Sequence, residues 1–323
     1  MSGKSLESVF GKESAGEILD EINSSIGEVK QFDQIGGGLV HYVYRLITDS
    51  KTTYLKIRAD HYSGISDIAT QPELIGNEKR AIELFSVNSA EYFPEIILYN
   101  SVLHYLLLTD VMPHGITLDK KYQHRSVGAE DLYQFGRAIG SIHSNSQTRE
   151  PIRDPDDQQY QGNLMKYALE SYKHPVLMMA ADEHKRRQTQ LLVGDLSPKN
   201  IYIRGDIVKL CDLENAHQGA LPYDQAFVIA HILLHHEDRD TAIAAMWAFL
   251  KGYAVSGNSV DNKDRLVGDT LHGILLYRLD NPVIPYELPL RSQRRKQMAA
   301  NVFSSLDQNT TDLEIITANL FKK

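Results

Sequence analysis

Only one cysteine, Cys211, occurs in 323 residues, which excludes a disulfide framework and fits a reducing compartment. Its neighbours form an apolar strand, so a buried, inert thiol is expected there. A nucleophilic thiol needs an electropositive and exposed setting. Long apolar runs are missing as well. None reaches the length of a membrane span, and residues 1–23 lack the apolar core of a signal peptide, so a cytoplasmic protein with no membrane partner is expected. Basic residues are outnumbered, 34 Lys and Arg against 42 Asp and Glu for a formal net charge of -8, which argues against a dedicated nucleic-acid binder and its basic face. No internal repeat, low-complexity tract or long linker interrupts the chain, whose length suits about two domains with ample core.

The chemistry-bearing residues are concentrated in one stretch, LLVGDLSPKNIYIRGDIVKLCDLENAHQGALPYD, from Leu191 to Asp224. Ile201-Tyr202-Ile203 and Ile207-Val208-Lys209-Leu210 are rich in strand formers, and Arg204-Gly205-Asp206 between them supplies the glycine of a short hairpin loop. The hairpin places Asp195 and Asn200 before it and Asp212 after it. Phosphoryl transfer needs a carboxylate to orient the attacking hydroxyl and oxygen ligands to hold magnesium across the phosphates. Asp195, Pro198, Asn200 and Asp212 reproduce the spacing of a kinase catalytic loop and its metal aspartate.

On these residues, GDLSPKN followed by CDLENA resembles the aminoglycoside phosphotransferase, choline kinase and methylthioribose kinase superfamily, the small-molecule branch of the protein-kinase-like fold. The likeness continues through Glu214, Ala216, Gly219 and Asp224, similar to the family's segment that ends in a Tyr-Asp or Phe-Asp pair opening a long helix. Two positions depart from it. Where the family has His before the Gly-Asp of the turn and His two residues after the Asp, this chain has Val193 and Ser197. The base and the metal ligands remain, but the acceptor side of the turn is altered.

Upstream, residues 5–29 carry an amphipathic pattern (Leu6, Val9, Phe10, Ile18, Ile22, Ile26) that predicts one or two helices packed before the first lobe. Strands are expected on either side of Gly36-Gly37-Gly38, a glycine turn whose backbone N–H groups can approach phosphates. Lys56 lies in the strand that follows, where the resembled family keeps its phosphate-pairing lysine. Its partner is expected on the helix from Pro72 to Phe85; Glu78 matches the family best, with Glu73 and Glu83 as competitors. An apolar strand running to Met112 and Pro113 resembles the hinge, which implies adenine contacts at the Asp110 carbonyl and the Met112 N–H, with Thr109 lining the back of the pocket. Residues 130–144 predict the helix before the catalytic loop, with Gly136 and Gly140 marking a closely packed neighbour.

The resemblance implies an α+β fold: residues 1–112 a small antiparallel-sheet lobe with an N-terminal helical element, residues 113–323 a larger, mainly helical lobe, and ATP between them. It also implies a reaction in which the γ-phosphoryl group of ATP moves to a hydroxyl of a small molecule. Asp195 orients the hydroxyl and takes its proton, and Asn200 and Asp212 hold magnesium. Glu214 supports the second metal position or orients Asp212, and Lys56 pairs the phosphates under the control of Glu78. The acceptor stays open among aminoglycoside-, choline- and sugar-like molecules, with Asp154 to Asp157 as contacts for a cationic acceptor and Arg291 to Lys296 for an anionic one. Two other functions are weighed. A protein-directed kinase is disfavoured because no APE-like anchor or activation segment follows Asp212. A regulatory pseudokinase is disfavoured because Lys56, Asp195, Asn200 and Asp212 are all present. His231 and His235, four apart on a helix, lack the glutamate of a zinc protease and read as core histidines rather than a metal site.

Overall fold

The computed structural model describes residues 6–35, 40–64, 69–146, 166–188, 190–280, 288 and 290–322. The chain divides into two compact units, Met1–His114 and Gly115–Lys323. Among the described residues no helix is long and apolar enough to cross a membrane.

The first unit is built on a five-stranded antiparallel sheet of order β1-β2-β3-β5-β4, with β1 at Gln31–Ile35, β2 at Tyr42–Ile47, β3 at Thr52–Ile57, β4 at Ile96–Asn100 and β5 at Tyr105–Thr109. Side chains alternate across a strand, so one face is read from every second residue. Tyr42, Tyr44 and Leu46 of β2 and Leu55 and Ile57 of β3 join one core cluster with Ala15, Ile18, Ile22 and Ile26. Those four belong to α2 (Lys12–Ile26), which follows the short α1 (Leu6–Phe10), and their spacing of three and four residues makes the apolar stripe of a one-faced helix. Burying Ile18 and Ile22 alone contributes about 1.5–3 kcal/mol each. From the same helix the Glu21 carboxylate accepts from Asn100 Nδ2 at 2.8 Å and from the Tyr105 hydroxyl, fixing α2 to β4 and β5. By the same parity Lys56, between Leu55 and Ile57, points to the opposite face.

The second unit is mainly helical and carries two small two-stranded antiparallel sheets, β6-β9 and the β7-β8 hairpin. These comprise β6 (Gln190–Leu192), β7 (Ile201–Arg204), β8 (Ile207–Leu210) and β9 (His217–Gly219). Helix α3 (Ile75–Ser89) belongs to the first unit; α4 (Leu118–Gln123), α5 (Ala129–Asn145), α6 (Pro175–Arg186), α7 (Pro222–Leu234), α8 (Arg239–Val255), α9 (Arg265–Asp280), α10 (Ser292–Asp307) and α11 (Leu313–Leu320) form the second. Helices α5 and α8 meet at glycines: a Cβ on Gly252 would strike the Tyr133 carbonyl oxygen, and one on Gly136 the Phe249 carbonyl oxygen. Helix α7 is buried throughout Tyr223–Leu234 and mostly apolar, its Asp224, Gln225 and His231 buried with the rest, as a helix with no solvent face must be. Cys211 differs from expectation: it lies one residue past β8 and is only half-buried, because the chain leaves the hairpin there to form the Asp212 turn.

Candidate active site

The turn that carries Asp195 begins where β6 ends. Gly194 has φ +81°, and a Cβ there would collide with the Asn215 carbonyl oxygen, so the position requires both left-handed freedom and the lack of a side chain. The turn is held by a residue thirty positions away. The wholly buried Asp224 carboxylate accepts the Val193 N–H at 2.8 Å and the Gly194 N–H at 3.0 Å. His143 Nε2 lies 3.2 Å from the same carboxylate and His143 Nδ1 lies 3.0 Å from the Tyr253 hydroxyl. A carboxylate only accepts, so Nε2 carries the proton and Nδ1 accepts from Tyr253. The buried charge is thus satisfied by three donors, the condition under which such burial is tolerated. Val193 enters this network through its backbone.

Asp195 follows, accepting the Ser197 N–H at 3.2 Å. Ser197 is fully buried, and its hydroxyl has no hydrogen-bond partner among the described residues. Asn200 donates from Nδ2 to the Asp195 carbonyl at 3.1 Å, which sets the orientation of its amide and makes Oδ1 the atom that could ligate a cation. Its own carbonyl accepts the Cys211 N–H at 3.0 Å, tying the turn to the far end of the β7-β8 hairpin. Asp212 adopts φ +66°, a left-handed conformation that aspartate and asparagine tolerate better than most residues. Lys199 reports on how these groups converge. Crowding works to lower its ammonium, yet Asp195, Asp212 and Glu214 together hold it above the ordinary lysine value. The oxygen donors of Asn200, Asp212 and Glu214 are the hard type that magnesium requires.

In the first unit Lys56 meets Glu78, with Nζ 2.7 Å from Oε1 and 2.6 Å from Oε2, both residues buried. Glu78 lies on the inward stripe of α3 with Ile75, Ala81, Ile82 and Phe85. Of the competitors, Glu83 pairs with Lys79 at 2.6 Å and Glu73 lies in the 3-10 turn before the helix. β5 stops at Thr109, whose hydroxyl accepts the Glu95 N–H at 2.9 Å. The Met112 N–H donates to Asp110 Oδ1 at 3.1 Å, so an adenine contact there requires that carboxylate to move aside. Gly36, Gly37 and Gly38 lie outside the described residues, as does the loop from Asp154 to Asp157.

Other candidates have structural employment. Arg295 donates to the carbonyls of Arg278 and Leu279 at 3.0 and 3.2 Å, and Arg294 lies over the Phe321 ring. Burial lowers His231 and His235, so both are neutral imidazoles; His235 Nδ1 bonds the His231 carbonyl at 2.7 Å and its ring stacks on Tyr122. One charged neighbour escaped the sequence reading. Arg278 of α9 places Nη2 4.0 Å from Asp195 Oδ1. It stands 83 residues beyond Asp195 on a helix buried along nearly its whole length, with neither spacing nor periodicity to mark it.

No family model matches the sequence, and no curated protein matches it. Solved structures match over nearly the full chain. Amicoumacin kinase hAmiN, in complex with AMP-PNP, Ca2+ and Ami, aligns with a TM-score of 0.59 at 15% identity, covering 92% of this chain and 94% of that one. The chain has the fold of a small-molecule kinase. That kinase fold recurs in spectinomycin phosphotransferase APH(9)-Ia with ADP and spectinomycin, TM-score 0.53 at 11% identity over 94% of this chain and 98% of that one. A choline/ethanolamine kinase family protein from Mesorhizobium loti gives 0.53 at 13% identity over 95% and 99%.

Proposed function

We propose that the protein is an ATP- and magnesium-dependent phosphotransferase that moves the γ-phosphoryl group of ATP to a hydroxyl of a small molecule. The observation that carries the reading is the convergence of Asp195, Asp212 and Glu214 around Lys199, beside an Asn200 amide whose oxygen is oriented by the turn itself. Two solved neighbours with this fold hold nucleotides, AMP-PNP with Ca2+ in amicoumacin kinase and ADP in spectinomycin phosphotransferase.

In this reading the Asp195 carboxylate accepts the acceptor's hydroxyl proton and aims its oxygen, and the Ser197 N–H keeps that carboxylate in place. Asn200 Oδ1, Asp212 and Glu214 hold magnesium. Bound there, the metal neutralises charge on the phosphate oxygens. Lys56 pairs phosphate oxygens, and Glu78 fixes its ammonium and prevents it from straying. Gly36, Gly37 and Gly38 cover the phosphates, while Thr109, the Asp110 carbonyl and the Met112 N–H receive the adenine.

Calorimetric titration with ATP and magnesium tests the proposal, together with two variants. Asp212→Ala should weaken magnesium-nucleotide binding at least tenfold. Asp195→Asn should leave binding within about twofold and depress turnover by a hundredfold or more, within the range for loss of a general base. Absence of heat on titrating ATP and magnesium, or the reverse pattern in the two variants, would refute it.

A further inference from the structure

Arg278 is buried, with 8% of its surface exposed. Its guanidinium lies over two rings, 5.1 Å from the Phe227 centroid and 4.8 Å from that of Tyr277. A guanidinium against two aromatic faces is held by cation–π attraction and keeps a fixed plane. Phe227 stands one turn after Asp224 on α7, so the element that anchors the catalytic turn also anchors this cation. Its Nη2 lies 4.0 Å from Asp195 Oδ1.

The groups nearby include a second cation, two neutral imidazoles and two carboxylates. Lys199, four residues after Asp195, is a second cation. His231 and His235 are neutral, kept so by burial and by Arg278 itself. Asp212 and Glu214 are, in the proposed reading, committed to the metal. An acceptor hydroxyl presented to Asp195 therefore brings its neighbouring atoms within reach of a clamped, permanently charged guanidinium. A cationic substituent there would meet a like charge that cannot swing away. A carboxylate or phosphate would meet the planar donor geometry that suits it best.

We propose, on the basis of the phosphotransferase reading, that the acceptor carries an anionic group, a carboxylate or a phosphate ester, close to the reacting hydroxyl, and that Arg278 receives it. This assigns specificity to a residue of α9 and removes it from Arg294 and Arg295, which are occupied elsewhere.

The test uses the full chain saturated with magnesium and AMP-PNP, titrated in a calorimeter with glycerate, glycerol 3-phosphate and choline. At least one anion should bind, more weakly as salt rises, and choline should not. Arg278→Gln should weaken that binding tenfold or more, and Arg278→Lys, which keeps charge without the fork, should fall between. Preference for glycerate or for glycerol 3-phosphate separates a carboxylate from a phosphate acceptor. The proposal is overturned if neither anion binds, if choline binds in their place, or if the Gln variant binds the anion as the wild type does. If Arg278→Gln does not fold, unchanged anion affinity in Arg278→Lys together with no salt dependence in the wild type overturns it equally. Nucleotide binding is read first in the same cell. Its absence sinks the phosphotransferase reading, whereas intact nucleotide binding without anion binding sinks this inference alone.

Discussion

Asp224→Ala removes the acceptor shared by Val193, Gly194 and His143. The side chain is wholly buried, so water cannot easily replace it. Two backbone N–H groups, at 2.8 and 3.0 Å, lose their partner, and each buried donor left unsatisfied costs about 1–3 kcal/mol. The midpoint for two is about 4 kcal/mol. The His143 Nε2–H loses its acceptor as well, although Nδ1 keeps the Tyr253 hydroxyl, so about 4 kcal/mol is the lower figure. Against a total stability of about 5–15 kcal/mol, that loss is large without preventing folding. Asp224→Asn retains one carbonyl oxygen and should cost about half as much. The single tryptophan, Trp247 of α8, lies in the same unit and reports its unfolding in urea. A shift of the midpoint at constant slope gives the difference directly. A loss under about 1 kcal/mol for Asp224→Ala would refute the claim that this carboxylate holds the turn.

Further outcomes follow from packing and burial. Gly252→Ala should destabilise by about 3 kcal/mol through its collision with the Tyr133 carbonyl, whereas Gly16→Ala, with open space around it in α2, should stabilise by up to about 1 kcal/mol; paired denaturation curves decide. Burial lowers His184 to about 3 and His272 to about 4, so the unfolded chain binds more protons than the fold below about pH 6.5. Their stability contribution is complete above that pH and is lost as pH falls from 6.5 toward 4; His272→Asn should flatten this limb by about 1.4 kcal/mol per pH unit. Asp269 acts in the opposite sense. Burial pushes it up to about 6 against the pull of Arg265, so the fold favours its protonated form and loses stability as pH rises from about 4 to 6. Asp269→Asn should therefore gain about 1–2 kcal/mol at pH 7, allowing for solvent screening, and nothing at pH 4.

What was legible in the sequence was local. The β7-β8 hairpin declared itself through alternating Ile, Val and Leu around Gly205, and the spacing of Asp195, Asn200 and Asp212 came with it. The Lys56 partner was narrowed to three glutamates by helix position, and the inward stripe of α3 selected Glu78. The remainder depends on distance along the chain. Asp224 reaches back thirty residues to the turn, and Arg278 reaches back 83 to Asp195. Neither leaves a periodic trace, because α7 and α9 are buried on nearly all sides and a polar residue there breaks no pattern. Cys211 was misplaced by one residue for a related reason: strand composition carries on past the point where Asp212 turns left-handed.

The N-terminal helix has a practical consequence. Because Ala15, Ile18, Ile22 and Ile26 pack in one core with the sheet and Glu21 bonds Asn100 and Tyr105, α2 belongs to the interior of the unit and is no appendage to it. A shortened chain that begins at β1 would present Tyr42, Tyr44, Leu46, Leu55 and Ile57 to water as a continuous apolar surface on an open sheet, the kind of face that draws chains together. Purification tags and fusion partners should accordingly be joined ahead of Leu6, and a deletion meant to trim the first unit to its five-stranded sheet should yield aggregate.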